Sequence, residues 1–109
     1  MKSKVLELGG KTYDLKMNHR AIYLFNNEVE GGIIGFANGF TSGKRDFNAV
    51  YKMLWACINV IDKEVTFDKF MEMLDSAEVS FERLSELSAA VLENTFAKPE
   101  PGEKKEAKN

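Results

Sequence analysis

The side chains most often used for catalysis and metal binding are scarce in this sequence. The chain has one histidine, His19, and one cysteine, Cys57. A structural zinc site takes roughly four cysteine or histidine ligands, so these two residues cannot supply one. A nucleophilic pair of Cys57 and His19 would need a reactive thiolate. However, Cys57 lies between the apolar Trp55 and Ile58, and a thiol in apolar surroundings is usually inert. We therefore predict that the protein is not an enzyme and that it holds no metal or cofactor.

Residues 39–45 resemble a phosphate-binding loop, but their spacing is wrong. That loop requires the pattern G-x-x-x-x-G-K-[ST], in which the last hydroxyl binds magnesium. Gly39 is one position too close to Gly43, and Arg45 stands where the hydroxyl residue is required. Because the match fails at both positions, we do not predict nucleotide binding.

Residues 65–70 resemble the start of the helix that follows the loop of an EF-hand. Such a loop carries oxygen ligands at its first and last positions and a glycine near its centre. If Val65 takes the apolar position of the loop, Ile58 falls at the first position. Lys63 then replaces the glycine, and Lys69 replaces the closing glutamate. The sequence therefore does not predict a calcium site.

Length and composition indicate one domain with its own core. The chain has 109 residues, of which 44% are apolar, and this is enough for one domain of common size. There are 15 basic and 17 acidic residues, giving a net charge of −2. Nucleic-acid binders usually have a basic surface, because contacts to phosphates supply most of their non-specific affinity. We therefore predict no nucleic-acid partner.

The chain shows neither the apolar stretch of a signal peptide nor a membrane helix. Its longest uncharged run, residues 31–43, contains several glycines and polar residues, which do not suit a membrane span. A single cysteine cannot form an internal disulfide, which fits a reducing compartment. These features predict a protein of the cytoplasm without a membrane partner.

Hydrophobic periodicity predicts a hairpin followed by helices. Gly9-Gly10 suits a two-residue hairpin turn, and the residues after it alternate so that Tyr13, Leu15 and Met17 share one face. Asn18, Thr66 and Ser80 are predicted N-caps, and apolar residues at helical spacing predict further helices, including one over 46–61. The expected fold is mainly α (α+β), with an N-terminal β-hairpin and a bundle of about four helices. It forms a single domain over residues 1–97, and residues 98–109 are expected to be a disordered charged tail.

Two apolar segments are candidates for binding a partner. Residues 31–45 mix glycines with large apolar side chains, which predicts either a short irregular helix or loop against the core, or a mobile segment that becomes ordered on a partner. The helix over 46–61 carries a second apolar stripe, so it is either central in the fold or partly covered by another subunit. The candidate partner-binding residues are Ile33, Ile34, Phe36, Phe40, Met53, Cys57 and Val60.

The start of the chain, residues 4–21 with the sequence KVLELGGKTYDLKMNHRA, resembles the opening of phage tail assembly chaperones. Proteins of that family, known from long-tailed phages and from prophages of Gram-positive bacteria, begin with a short hairpin. An Asn- or Thr-capped helix with a small residue near its start follows. The resemblance extends in order and length over residues 4–97. It implies a protein that binds the tape measure protein, helps to recruit tail tube subunits, acts in the host cytoplasm and is absent from the mature virion.

The helices carry more apolar surface than one small fold can bury, which predicts self-association into a homo-oligomer. The resemblance also implies, in many members, a longer form made by ribosomal frameshifting. A slippery nucleotide run at Lys104-Lys105 is a hypothesis about the gene. Two alternatives stay open. One is another phage structural protein or helical adaptor, such as a tail or head-tail component, and the other is a nucleic-acid-binding regulator. A gene neighbourhood with a tube gene upstream and a tape measure gene downstream would favour the chaperone.

Overall fold

A computed structural model describes residues 4–44 and 46–96. These residues form an N-terminal antiparallel hairpin and five helices, which confirms the predicted mainly α fold with an N-terminal hairpin. The elements are β1 (Val5–Leu8), β2 (Lys11–Asp14), α1 (His19–Glu28), α2 (Gly32–Thr41), α3 (Phe47–Asn59), α4 (Phe67–Ala77) and α5 (Phe81–Thr95). The predicted disordered tail, residues 98–109, lies outside the described residues.

The hairpin forms at the predicted turn. Gly9 and Gly10 have φ values of 56° and 80°, the positive region that a two-residue hairpin turn requires at both positions. The strands pair with Leu6 opposite Tyr13. Tyr13 is buried together with Leu15 and Met17, which continue the chain beyond β2. The predicted apolar face of the hairpin therefore packs on the helices, as a marginal two-stranded sheet requires.

Side-chain caps start three helices where the sequence predicts them. The Asn18 side chain accepts a hydrogen bond from the backbone N–H of Ala21, at 2.9 Å, at the start of α1. Thr66 and Ser80 accept equivalent bonds at the starts of α4 and α5. Each cap satisfies a backbone N–H group that the helix itself cannot pair. The polar residues before each apolar run therefore fix where these helices begin.

Helix α3 is the central helix of the fold. It packs against α1 on one side and against α4 and α5 on others. The middle of both apolar stripes is buried, including Val50 and Leu54 on the first stripe and Met53 and Cys57 on the second, whereas Phe47 in the first turn is exposed. Of the two interpretations of this helix, the structure therefore selects the central position within one chain.

Residues 32–41 form a regular helix, α2, so the described residues contain one helix more than the predicted bundle of about four. Helix α1 ends at Glu28. The Asn26 side chain then accepts the backbone N–H of Ile33 at 2.9 Å and caps α2 from the preceding helix. The ring of Phe36 packs on Phe25, with centroids 5.7 Å apart. Asn26 and Phe25 of α1 therefore stabilise α2 through this cap and this ring contact. They offset the low helix propensity of the glycines in α2.

Lys52 of α3 connects three helices at the surface of the bundle. Its ammonium lies 2.9 Å from the Glu28 carboxylate at the end of α1. The same ammonium lies 3.9 Å from the centre of the Phe67 ring at the start of α4, a distance typical of a cation–π contact. Nearby, the indole N–H of Trp55 donates to the Val65 carbonyl at 2.9 Å. These contacts hold the start of α4 against α3.

No helix within residues 4–44 and 46–96 combines the length and apolar character needed to cross a membrane.

Candidate partner-binding surface

The structure divides the four candidate residues of α2 between the core and the surface. Ile33 and Phe36 are buried, and Phe40 is half-buried with its ring edge-on to Phe36, at 5.5 Å between centroids. Ile34 has 59% of its surface exposed. The interpretation of this segment as packed against the core is therefore correct for three of the four side chains. The fourth is available to a partner.

The three candidates on and after α3 are less accessible than the sequence suggested. Met53 and Cys57 are each 0% exposed, and Val60 is half-buried. The prediction that Met53 and Cys57 form a partner-facing stripe is therefore wrong for this fold, because α3 is covered on several sides by other helices of its own chain. Burial also raises the pKa of the Cys57 thiol to about 12, which keeps the thiol protonated at neutral pH.

An apolar groove opens between α2 and the C-terminal half of α5. We call it the α2–α5 groove, and its volume is about 290 Å³. Its lining residues are Ala37, Phe40, Thr41, Ala89, Leu92, Glu93 and Phe96. Phe96 at the end of α5 is 47% exposed, although it is a large aromatic residue. The groove thus presents apolar side chains from two helices to the solvent.

Helical spacing extends both walls of the α2–α5 groove. On α5, Ser85 lies on the same side as Ala89 and Phe96, since residues spaced by three or four positions share a helix face. On α2, the exposed Ile34 is likewise aligned with Ala37 and Thr41. Two of these residues are among the candidates from sequence: Phe40, which lines the groove, and Ile34, which extends its α2 wall. Phe96 is not among the candidates, because its spacing fits the apolar, core-facing side of α5.

The charges around the α2–α5 groove are unequally distributed. Helix α2 contains no charged residue, whereas Glu86 and Glu93 stand beside Ala89 on α5. The C-terminal residues Thr41 of α2 and Phe96 after α5 line the groove, and neither helix has a basic residue in its last turn. A helix C-terminus carries a partial negative charge. Glu93 already makes an interaction within the chain, so the negative character rests on Glu86 and on the two helix ends.

Two further grooves are more polar. One of about 210 Å³ lies on the opposite side of α2, over Gly35 and Gly39, and is bordered by Glu30, Lys44 and Asp46. Another, of about 520 Å³, lies between the hairpin and the start of α5. There the Arg83 guanidinium donates to the Val5 carbonyl at 3.4 Å. Two or more charged residues line each of these grooves, whereas Glu93 is the single charged residue among those lining the α2–α5 groove. The α2–α5 groove is therefore the better candidate for an apolar partner.

Within the described part of the chain, no group of three or more histidine, cysteine, aspartate or glutamate side chains is placed to hold a metal ion.

Comparisons with known proteins found no relative. No protein-family model, no curated protein and no solved structure matches this chain. A functional assignment therefore depends on the residues and surfaces of this protein itself.

Proposed function

We propose that this protein is a phage tail assembly chaperone that binds the tape measure protein and helps to recruit tail tube subunits. On this proposal it is a non-enzymatic, cytoplasmic protein that is absent from the mature virion. Two features support the assignment. The opening segment, residues 4–21, resembles that family, and the fold that follows leaves an apolar groove open beside a completed core.

The observation that carries the proposal is the α2–α5 groove. A chaperone needs apolar surface that it can offer to a client without unfolding itself. The core of this chain is already filled by residues such as Phe25, Leu54 and Phe70, so the groove is not required for the fold to close. An open groove between two helices, at about 290 Å³, lies at the small end of the range for small-molecule pockets. A groove of this size can accept the apolar side chains along one face of a partner helix.

Co-expression with the tape measure protein encoded in the same genome tests the proposal. A long helical client tends to aggregate when it is expressed alone, so the chaperone should raise the fraction of soluble client. An unrelated small helical protein, expressed at the same level, serves as the control. If the soluble fraction is the same with either protein, the chaperone proposal is wrong.

Mass spectrometry of purified phage particles separates the chaperone from a structural component of the tail. A chaperone leaves the tail when assembly is complete, so its peptides should be absent from mature particles and present in infected cells. Detection in mature particles at the abundance of a tail protein would instead favour the alternative of a structural or adaptor protein.

A further inference from the structure

We propose that the α2–α5 groove binds one amphipathic helix of the partner, with an apolar stripe flanked by lysine or arginine residues. The identity of the partner as the tape measure protein rests on the proposed function. The chemistry of the bound helix follows from the groove itself, and three properties of the groove lead to it.

The first property is the arrangement of apolar side chains. Along α5, Ala89, Leu92 and Phe96 follow one another at intervals of three and four residues, facing Ala37 and Phe40 across the groove. The wall from Ser85 to Phe96 is roughly 16 Å long at the rise of an α-helix. This length matches about three turns of a bound helix, whose own side chains would repeat at the same spacing.

The second property is that the stretch after α5, residues 97–109, is chemically unsuited to fill the groove. The sequence after Phe96, residues 97–109, contains alanine, proline, glycine, asparagine, lysine and glutamate, and no large apolar residue. Filling an apolar groove stabilises a complex only when large apolar side chains leave water. Residues 97–109 are therefore not the occupant that the groove calls for.

The third property is charge. The α2 wall is uncharged, and the C-terminal ends of both helices line the groove. Glu86 lies three residues before Ala89, so it is next to the α5 wall on the helix surface. Glu86 is exposed, and its weak pair with Arg83, at 3.7 Å, leaves it accessible to a partner. Lys44, the nearest described basic residue after α2, borders the glycine side of that helix instead. Lysine or arginine residues beside the apolar stripe would complement this surface.

Two synthetic peptides test the charge and the apolar stripe together. Both form a helix of about four turns with leucine at helical spacing, and they differ only in carrying lysine or glutamate on either side of the leucines. Fluorescence anisotropy with the full chain should show the lysine peptide binding about threefold to tenfold more tightly. Added salt should reduce this difference, because the charges are exposed. Equal binding by the two peptides, or no binding of either one, would overturn the proposal.

Substitutions in the chain test the position of the bound helix. Ala89→Lys places a long, positively charged side chain in the groove while keeping a good helix former, so it should weaken the lysine peptide by about tenfold or more. The matched control is Ile61→Lys, which introduces the same side chain at an exposed apolar position outside the groove and should leave binding unchanged. Glu86→Lys should weaken the lysine peptide but strengthen the glutamate peptide. Equal effects of Ala89→Lys and Ile61→Lys would overturn the proposal.

Two other occupants would give recognisable results. A dimer of the free chain that Ala89→Lys dissociates would show that a second copy occupies the groove. Tighter peptide binding by about tenfold after removal of residues 97–109 would show that the chain covers its own groove. Either result would contradict a partner helix as the occupant.

The same variants separate this inference from the proposed function. One outcome is that the Ala89→Lys variant and the unmodified chain raise the soluble fraction of the tape measure protein equally. In that case the groove inference is wrong and the chaperone proposal stands. If the unmodified chain has no effect on the tape measure protein but binds the lysine peptide as described, the chaperone proposal fails and the groove inference stands.

Discussion

Cys57 reports on how tightly the core of the chain is closed. It is fully buried in α3, and burial raises the pKa of its thiol from 9.0 to about 12. The unfolded chain would lose this proton near the ordinary pKa, whereas the folded chain holds it. The contribution of the neutral thiol to stability is therefore complete below pH 9.0 and is lost as the pH rises from 9.0 to about 12.

This burial predicts that Cys57 reacts slowly in the native protein. An aromatic disulfide reagent at about pH 8 should label the folded chain far more slowly than the chain in denaturant, since the reactive thiolate is scarce and shielded. Labelling can be followed by absorbance, and the single cysteine makes the signal specific. Native labelling as fast as that of the unfolded chain would show that the second stripe of α3 is accessible after all.

Ser88 is the polar exception in the core. It is fully buried in α5, and its hydroxyl has no hydrogen-bond partner within the part of the chain that the structure describes. Ser88→Ala should therefore raise the free energy of unfolding by up to about 1 kcal/mol, because an uncompensated hydroxyl is removed and helix propensity improves. Chemical denaturation measures the change.

The control for Ser88 is Ser80 in the same helix. Its hydroxyl caps α5 by accepting the backbone N–H of Arg83 at 3.1 Å, so Ser80→Ala should lower the free energy of unfolding by about 1 kcal/mol. The two serine-to-alanine changes are thus expected to have opposite signs. A clear loss of stability for Ser88→Ala would mean that its hydroxyl is hydrogen-bonded in solution.

Among the elements, α2 depends most on its connection to α1. Gly31 and Gly32 both have positive φ, at 87° and 62°. A Cβ atom on Gly32 would lie 2.7 Å from the Asn26 side-chain oxygen, the atom that caps Ile33. Any side chain at Gly32 would therefore have two effects. It would strain the backbone, and it would displace the Asn26 side chain that caps α2.

We expect Gly32→Ala to lower the free energy of unfolding by about 1–3 kcal/mol. The matched control within α2 is Gly35→Ala, since an added Cβ there meets nothing within 4 Å. An alanine in place of a helical glycine should stabilise the chain by about 0.5–1 kcal/mol. Thermal melting followed by circular dichroism measures both variants. A stabilising effect of Gly32→Ala would show that the corner between α1 and α2 is not built as described.

The whole molecule exposes several large apolar side chains around a filled core. Those more than a third exposed among the described residues are Val5, Tyr23, Ile34, Phe47, Ile61 and Phe96. Scattered apolar residues are ordinary on protein surfaces, but the α2–α5 groove gathers some of them into one concave surface. We expect the chain to self-associate through exposed apolar side chains that lie outside this groove.

Light scattering over a range of protein concentrations tests self-association. We expect the average mass to rise above that of one chain as concentration increases, because contacts between exposed apolar surfaces follow mass action. A mass equal to one chain, 12.3 kDa, at the highest concentration would contradict the prediction. Repeating the measurement with Ile61→Lys and Ala89→Lys shows whether either surface is involved.

Local sequence signals determined much of this fold. The Gly9-Gly10 turn and the caps at Asn18, Thr66 and Ser80 were predictable, because each depends on hydrogen bonds or backbone angles within a few residues. The regular helix over residues 32–41 was not, because its order depends on Asn26 and Phe25 of another helix. Its glycines, read alone, favour a loop.

The surface available to partners was decided by the tertiary structure. The sequence marks Met53, Cys57 and Phe36 as apolar but does not say which neighbours cover them, and the packing of the folded chain removes all three from solvent. It also leaves Phe96 exposed, although its spacing fits the buried face of its helix. Periodicity fixes which side of a helix is apolar, since it follows from local geometry. How far along that side the neighbouring helices reach depends on contacts between residues distant in sequence, and those contacts created the α2–α5 groove.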